Sequence, residues 1–170
     1  MPSSTPGPRR ARPDDVAEIH ALVVELADYE RARHEVKATP DDFHAALFAE
    51  RPAVFAHVVD DPGRQGRLAG MALWFLNFST WEGRHGLYLE DLYVRPEHRG
   101  AGFGQQLLSA LARECVDQGY RRLEWWVLDW NEPALGFYRS LGATPMDEWT
   151  VHRVTGEALT TLAGRSAPRG

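Results

Sequence analysis

One stretch of this sequence, Tyr88–Gln106, limits the possible folds more than any other. Its first part, from Leu87 to Val94, is rich in Leu, Tyr and Val and predicts a strand. Glycines at alternate positions then predict a tight loop, and a helical pattern of leucines begins after Gln105. Because the first amide groups of a helix have no partner within the helix, a strand, a glycine-rich loop and a helix start together form a cradle for an anion.

The loop differs from two familiar phosphate-binding loops. It does not end in the Gly-Lys-Ser/Thr sequence of the nucleoside-triphosphate P-loop. It also lacks the G-x-G-x-x-G spacing of dinucleotide-binding folds, and no acidic residue closes a following strand about 20 residues later. What remains is R-G-x-G-x-G, beginning at Arg99, after an acidic strand. The guanidinium of Arg99 offers a forked set of donors that suits phosphate.

A second motif occupies residues 131–143 and reads NEPALGFYRSLGA. Together with the loop that begins at Arg99, this motif resembles the Gcn5-related N-acetyltransferase (GNAT) family. The segments at residues 89–94 and 130–133 are similar to the diamine (spermidine/spermine) branch, which includes thialysine acetyltransferases. The resemblance extends from about Arg9 to Val154 and rests on two separate motifs that occur in the order typical of the family.

The order of the predicted elements indicates a mixed α/β fold with one sheet. Strands are predicted at residues 9–12, 53–59, 68–78, 87–94, 123–128 and 150–154. Helices are predicted at residues 13–30, 40–51, 105–118 and 133–141, with a weaker one at 156–162. The resemblance implies a GNAT fold, in which a twisted, mostly antiparallel sheet of about six to seven strands is flanked by about four helices.

Length and composition exclude several classes of function. A chain of 170 residues fits one domain, which we place at residues 9–164, between a disordered tail at 1–8 and a flexible C-terminus at 165–170. The net charge of −5 gives no electrostatic basis for a nucleic-acid partner. No apolar run approaches the roughly 20 residues that a membrane span needs, and no signal peptide is visible. With the single cysteine, Cys115, these features predict a cytoplasmic protein.

The resemblance implies that the chain uses acetyl-CoA as its co-substrate. The loop is then expected to hold the pyrophosphate, and the backbone at the end of the acidic strand to bond the pantetheine arm as an added strand would. The residues expected to bind acetyl-CoA are Leu92, Tyr93, Val94, Arg99, Gly100, Ala101, Gly102, Phe103, Gly104, Gln105, Asn131 and Tyr138. The seven histidines show no metal-binding spacing, so no metal site is predicted.

Acetyl transfer to an amine requires a neutral nitrogen, although an alkylamine such as lysine has a pKa of about 10.4. We predict that Glu90 takes this proton, directly or through water. Asp91 is expected on the opposite face, because side chains alternate along a strand. Tyr138, whose hydroxyl has an ordinary pKa of about 10, is the predicted proton donor to the departing thiolate. The competing interpretations are a solvated Glu90 without a role and a Tyr138 that packs in the core.

The acceptor is predicted from charge and from the resemblance. Residues expected at the acceptor are Glu30, Trp81, Glu90, Asp91 and Trp149. The diamine branch is more acidic after its counterpart of Glu30, where this chain has Arg31, Arg33 and His34, and Ser79 also replaces an acidic residue. These substitutions favour a short amine or a lysine analogue over a polyamine with three or four charges.

Other functions stay possible at this point. Within the same fold, the acceptor could be an aminoglycoside, an amino acid or a protein lysine. A coenzyme-A-binding sensor without turnover is an alternative from a different class, although the presence of both Glu90 and Tyr138 favours an enzyme. A homodimer is expected, because dimers are common in the branch that the chain resembles.

Overall fold

The computed structural model describes residues 7–165. It forms two compact units, the first ending at Trp126 and the second beginning at Val127, and each is described here by itself. The predicted tail at residues 1–8 lies outside the described residues except for Gly7 and Pro8. The predicted flexible C-terminus lies outside them except for Arg165.

The first unit contains a mixed sheet of five strands. The strands lie in the order in which they occur along the chain, and the three pairings among the first four strands are antiparallel. The last strand pairs with its neighbour in parallel. The strands are β1 (Arg9–Arg10), β2 (Phe55–Asp60), β3 (Leu68–Ser79), β4 (Arg84–Val94) and β5 (Leu123–Trp125). The mixed α/β class is confirmed, and the predicted sheet matches in part. The described residues form five strands instead of six to seven, and one of the four strand pairings is parallel in a sheet expected to be mostly antiparallel.

The described residues form five α-helices, and the fifth corresponds to the weaker helix predicted at residues 156–162. The count of about four that the resemblance implied is one too few. The helices α1 (Val16–Tyr29), α2 (Pro40–Phe48) and α3 (Phe103–Gln118) belong to the first unit, and α4 (Glu132–Ser140) and α5 (Gly156–Gly164) to the second. Local signals explain several of their ends. Thr39 and Asp42 form a reciprocal capping box at the start of α2. Gly119 ends α3 with a φ of 72°, a conformation that glycine adopts without strain.

The strand predicted at residues 150–154 does not form. These residues run without regular secondary structure, and Val151 and Val154 are exposed. A strand requires a neighbour to complete its hydrogen bonds, and the described part of the second unit contains no other strand. Similarly, β5 ends at Trp125 rather than at the predicted Leu128.

The sheet buries apolar side chains on both of its faces. One face carries a cluster with α1 and α2, whose members include Ile19, Leu22, Leu26, Leu47, Val58, Met71, Leu73 and Tyr93. The helix α3 contributes a separate buried set, Phe103, Leu107, Leu108, Leu111 and Cys115, and contacts β2, β3 and β4. Val58 of β2 belongs to the first set, whereas its neighbour His57 lines a cavity together with residues of α3, so the helices cover opposite faces of the sheet.

A buried arginine joins α1 to the end of β4. The side chain of Arg95 is only 4% exposed and pairs with Glu18 at 2.8 Å and with Glu25 at 2.9 Å. It also donates a hydrogen bond to the carbonyl of Leu68 at 2.8 Å. Because Arg95 directly follows β4, this network fixes α1 against the point where the glycine-rich loop begins.

Replacing Arg95 by Ala should lower the free energy of unfolding by about 2–4 kcal/mol, because the partly buried carboxylates of Glu18 and Glu25 would lose the buried cation that they share. Arg33→Ala is the matched control, since its ion pair with Asp28 is exposed and should contribute less than about 1 kcal/mol. Urea unfolding followed by circular dichroism measures both values. Equal losses in the two variants would contradict a structural role for the Arg95 network.

Candidate active site

A β-bulge in β4 determines where the predicted acidic pair lies. Along the ladder between β3 and β4, Leu73 pairs with Asp91 and Trp74 pairs with Leu89, so Glu90 is the extra residue. A bulge bends a strand and redirects its side chains. The predicted opposite orientation of Glu90 and Asp91 assumes a regular strand, and because the bulge lies at this pair it stays a prediction.

Asp91 is the most perturbed carboxylate in this part of the molecule. It is partly buried, and this burial, together with the charges of Glu90 and Glu30, raises its pKa to about 6. Glu90 is exposed. Glu30 lies at the end of α1, where desolvation raises its pKa. The fold of the first unit therefore brings three predicted acceptor-binding carboxylates into one electrostatic group.

The edge of β4 that faces β5 is paired over only part of its length. Leu87, Tyr88 and Leu89 pair with β5, and from Glu90 onwards this edge has no strand partner among the described residues. An open edge can accept an extended chain through main-chain hydrogen bonds. This geometry fits the predicted contacts of Leu92 and Val94 with the pantetheine arm.

The glycine-rich loop has the conformation that an anion cradle needs. Gly100 and Gly102 both adopt a φ of 83°, and no side chain caps the start of α3. The helix begins at Phe103, two residues before the predicted start at Gln105, so Phe103 and Gly104 belong to its first turn. Phe103 is buried, which makes it a core residue of the helix rather than part of the loop. The amide groups at this end fit a phosphate.

Arg99 folds back onto the end of β4. Its Nε donates a hydrogen bond to the carbonyl oxygen of Val94 at 3.0 Å. Its guanidinium lies 5.4 Å from the ring centre of Tyr29 and 5.5 Å from that of Tyr93. The side chain of Tyr93 is buried, so only its backbone can reach a co-substrate. The loop therefore keeps the guanidinium of Arg99 close to the anion cradle. Ala101, which also lies in this loop, is exposed.

The remaining predicted residues lie in other parts of the chain. Trp81 is in the turn between β3 and β4 and is 90% exposed. In the second unit, Asn131 caps α4, because its Oδ1 accepts a hydrogen bond from the amide of Ala134 at 3.4 Å. Tyr138 lies within α4 and is partly buried. Trp149 is exposed and lies outside the helices and strands. The roles of these four residues stay predictions.

A cavity of about 620 Å³ borders the loop but not the acidic group. Gly102, Gln105 and Gln106 line it at the start of α3, and the buried His57 lines it from β2. Burial and the charge of Arg10 lower the pKa of His57 to about 4, so this ring is neutral. Since the lining includes none of the three carboxylates, the cavity does not mark the predicted amine site.

Arg95 is not among the residues predicted for the site. It fixes α1, which is followed directly by Glu30, to the end of β4. A signal was present in the sequence. Glu18 and Glu25 are seven residues apart, which places them on one side of a helix, where two acids next to a buried face require a cation.

The sequence model of the acetyltransferase (GNAT) family matches residues 19–143. A thialysine N-epsilon-acetyltransferase from Bos taurus is 38% identical over 165 residues, and the match covers 92% of this chain and 96% of that protein. An L-ornithine N5-acetyltransferase from Arabidopsis thaliana is 34% identical over 196 residues, covering 91% of this chain and 86% of the relative.

A solved structure shares the fold. An integron cassette protein from the mobile metagenome of V. cholerae superposes with a TM-score of 0.75 at 26% identity, covering 92% of this chain and 96% of that one.

Among residues 7–165, no helix is both long and apolar enough to span a membrane. In the same residues, no group of three or more acidic, histidine or cysteine side chains is arranged to hold a metal ion.

The like charges of the acidic group, Glu30, Glu90 and Asp91, should lower the free energy of unfolding. Asp91→Asn should raise the free energy of unfolding at pH 7.5 by about 1–2 kcal/mol, since it removes a partly buried charge next to two like charges. The folded state binds the Asp91 proton at higher pH than the unfolded chain does, so the destabilising contribution of Asp91 disappears as the pH falls from about 7 to about 4. The advantage of the variant should therefore disappear over this range.

Chemical unfolding at several pH values measures this difference. Asp117→Asn, which changes an exposed carboxylate on α3, serves as the control and should have little effect. A destabilising effect of Asp91→Asn at pH 7.5 would show that the ionised carboxylate is a favourable structural group instead.

Proposed function

The chain belongs to the GNAT acetyltransferase family, and from this premise we propose that it transfers an acetyl group directly to the primary amine of a lysine analogue or a diamine. It is an N-acetyltransferase of small amines, as its relatives over nearly the whole chain support. The observation that carries the choice of acceptor is the acidic group of Glu30, Glu90 and Asp91, since three carboxylates favour a cationic substrate.

Acetyl-CoA supplies the activated acyl group as a thioester. We propose that the first amides of α3, with Gly100 and Gly102 in left-handed conformations, hold its pyrophosphate. Arg99 provides a nearby cation, and the open edge of β4 after Leu89 offers main-chain groups to an extended arm. These features support the proposal because each of them is suited to bind a different part of acetyl-CoA.

The residues of this chain contribute proton transfers. A carboxylate of the acidic group takes a proton from the ammonium, and this makes the nitrogen a nucleophile. The sequence analysis assigned this role to Glu90, but the proposed function requires one carboxylate of the group rather than a particular one. We propose that the hydroxyl of Tyr138 gives a proton to the leaving sulfur. The transfer is direct, so no acyl group is attached to the protein.

Charges at the end of α1 support an acceptor with its own carboxylate. Glu30 is followed by Arg31, and Arg33 lies one turn further on, where it pairs with Asp28. A polyamine would meet these cations unfavourably, whereas the α-carboxylate of a lysine analogue would be attracted by them. The names of the relatives that act on thialysine and ornithine are consistent with this choice.

A panel of amines tests the proposal. We expect kcat/KM for thialysine and ornithine to exceed that for spermidine by at least about tenfold, because one favourable ionic contact in a partly desolvated site is worth about 1.4 kcal/mol or more. Release of free CoA is measured with purified protein, and an aminoglycoside and a lysine peptide complete the panel. A strong preference for spermidine would overturn the assigned acceptor. If no amine releases CoA although acetyl-CoA binds, the chain is a sensor.

Tyr138→Phe should lower kcat by about 10²–10⁴-fold, the usual contribution of a general acid, and leave the KM for acetyl-CoA nearly unchanged. Tyr120→Phe removes a hydroxyl from a partly buried tyrosine outside the predicted site and is the control. The rate of thiol release at saturating amine is the measurement. Turnover equal to that of the wild type would remove Tyr138 from the mechanism.

We also propose that the protein works in the cytoplasm as a homodimer. The buried thiol of Cys115, the single cysteine of the chain, supports a reducing compartment. Exposed aromatic side chains at the end of the β3–β4 hairpin, Phe78 and Trp81, support an association between copies. Light scattering during gel filtration measures the oligomeric state.

A further inference from the structure

We propose that Asp61 and His98 are positioning residues, and that their contact holds the glycine-rich loop in the conformation that binds the diphosphate of acetyl-CoA. The pair acts through the loop that begins at Arg99, not on the reacting groups. This inference rests on the proposed function and goes beyond it, because it assigns part of the affinity for acetyl-CoA to a contact outside the loop.

A buried carboxylate lies in the turn between β2 and β3, residues 61–67. The side chain of Asp61 is only 3% exposed. Its Oδ1 accepts a hydrogen bond from the amide of Gly63 at 2.8 Å, and its Oδ2 accepts one from Arg67 at 3.3 Å. Burial by itself would raise the pKa of Asp61, but these hydrogen bonds and one from His98 lower it below its ordinary value. The turn therefore presents an ionised carboxylate in a fixed position.

This carboxylate contacts the residue directly before the loop. Nε2 of His98 lies 3.0 Å from Oδ2 of Asp61. Because an ionised carboxylate can only accept hydrogen bonds, Nε2 carries a hydrogen and donates it. Arg67 adds a second connection, since it also pairs with Glu97 at 2.9 Å. The two residues that precede Arg99 are thus both joined to the β2–β3 turn.

His98 also contacts the structure on both sides of the loop. Its backbone amide donates a hydrogen bond to the carbonyl of Arg95 at 2.9 Å, within the single 3₁₀ turn Pro96–His98 that follows β4. The centre of its ring lies 6.2 Å from that of Phe103, the buried first residue of α3. Residues 99–102 therefore run between two points that His98 connects.

The loop itself offers little to hold its conformation. Residues 99–102 are all exposed, and Gly100 and Gly102 are glycines with a φ of 83°. Glycine loses more conformational freedom on folding than any other residue. A loop that adopts its binding conformation only part of the time binds more weakly in proportion to that fraction. A fixed contact next to the loop raises the fraction, and the Asp61–His98 pair provides one.

Two replacements of His98 test the contact. His98→Gln keeps an N–H group near the position of Nε2, whereas His98→Phe keeps a ring opposite Phe103 but no donor. In calorimetry, His98→Phe should raise the Kd of acetyl-CoA about tenfold, as expected if the competent conformation falls to about one tenth of the population. His98→Gln should stay within about threefold of the wild type.

Asp61→Asn removes the charge from the other side of the same contact. It should raise the Kd of acetyl-CoA as much as His98→Phe does. The double variant should lose no more affinity than either single variant, because both substitutions break one interaction. If His98→Phe does not fold, Asp61→Asn decides the same comparison.

Kinetics with two acetyl donors separate the positioning of the loop from a general loss of structure. In His98→Phe, the KM for acetyl-CoA should rise, while kcat and the KM for the preferred amine of the panel stay within about twofold. S-acetylpantetheine carries the same thioester but no diphosphate, so its kcat/KM should change by less than about twofold. Leu47→Ala, a truncation in the core beneath α2, is the control for lost stability and should leave the relative use of the two donors unchanged.

Three results would overturn the inference. One is a wild-type affinity of His98→Phe and Asp61→Asn for acetyl-CoA. Another is an equal loss of kcat/KM with both donors, since the pair would then support the fold and not the diphosphate loop. The third is a His98→Gln variant that binds as weakly as His98→Phe. A wild-type protein that binds no acetyl-CoA overturns the proposed function itself.

Discussion

The bulge in β4 is the constraint on which the rest of the site depends. One extra residue, Glu90, breaks the regular alternation of the longest antiparallel ladder in the protein. It also coincides with the point at which β5 stops pairing with β4. In a regular strand, adjacent side chains such as those of Glu90 and Asp91 point to opposite faces. The irregular strand has an open edge and an acidic group at the same place, and our proposal assigns these features to the two substrates of one reaction.

The packing around this strand holds the irregularity in place. Arg95 pairs with Glu18 and Glu25 on α1, and this buried network fixes the end of β4 directly before the glycine-rich loop. The same helix ends at Glu30, so one set of ion pairs positions both the acidic group and the loop entrance. The like charges at the site are unfavourable by themselves, and they persist because the surrounding packing over-determines their positions.

Much of the molecule could be predicted from local signals. The capping box of Thr39 and Asp42, the C-terminal Gly119 of α3 and the apolar run of β3 each depend on residues close in sequence. Errors occurred where the outcome depends on distant partners. The residues 150–154 have a strand-like composition but no neighbouring strand in the described part of their unit, and α3 begins at Phe103, whose side chain is buried in the core, instead of at Gln105.

The sequence by itself determined the family, the glycine-rich loop before α3 and the residue types at the proposed site, because these are encoded by short motifs whose backbone requirements are local. Only the tertiary structure decided how those residues act. The pairing of β3 with β4 decides that Glu90 is extra, and the packing of α1 decides which charges surround Asp91. The physical reason is that a carboxylate has the same formula everywhere in a chain, whereas its proton affinity depends on water and on charges that distant segments bring to it.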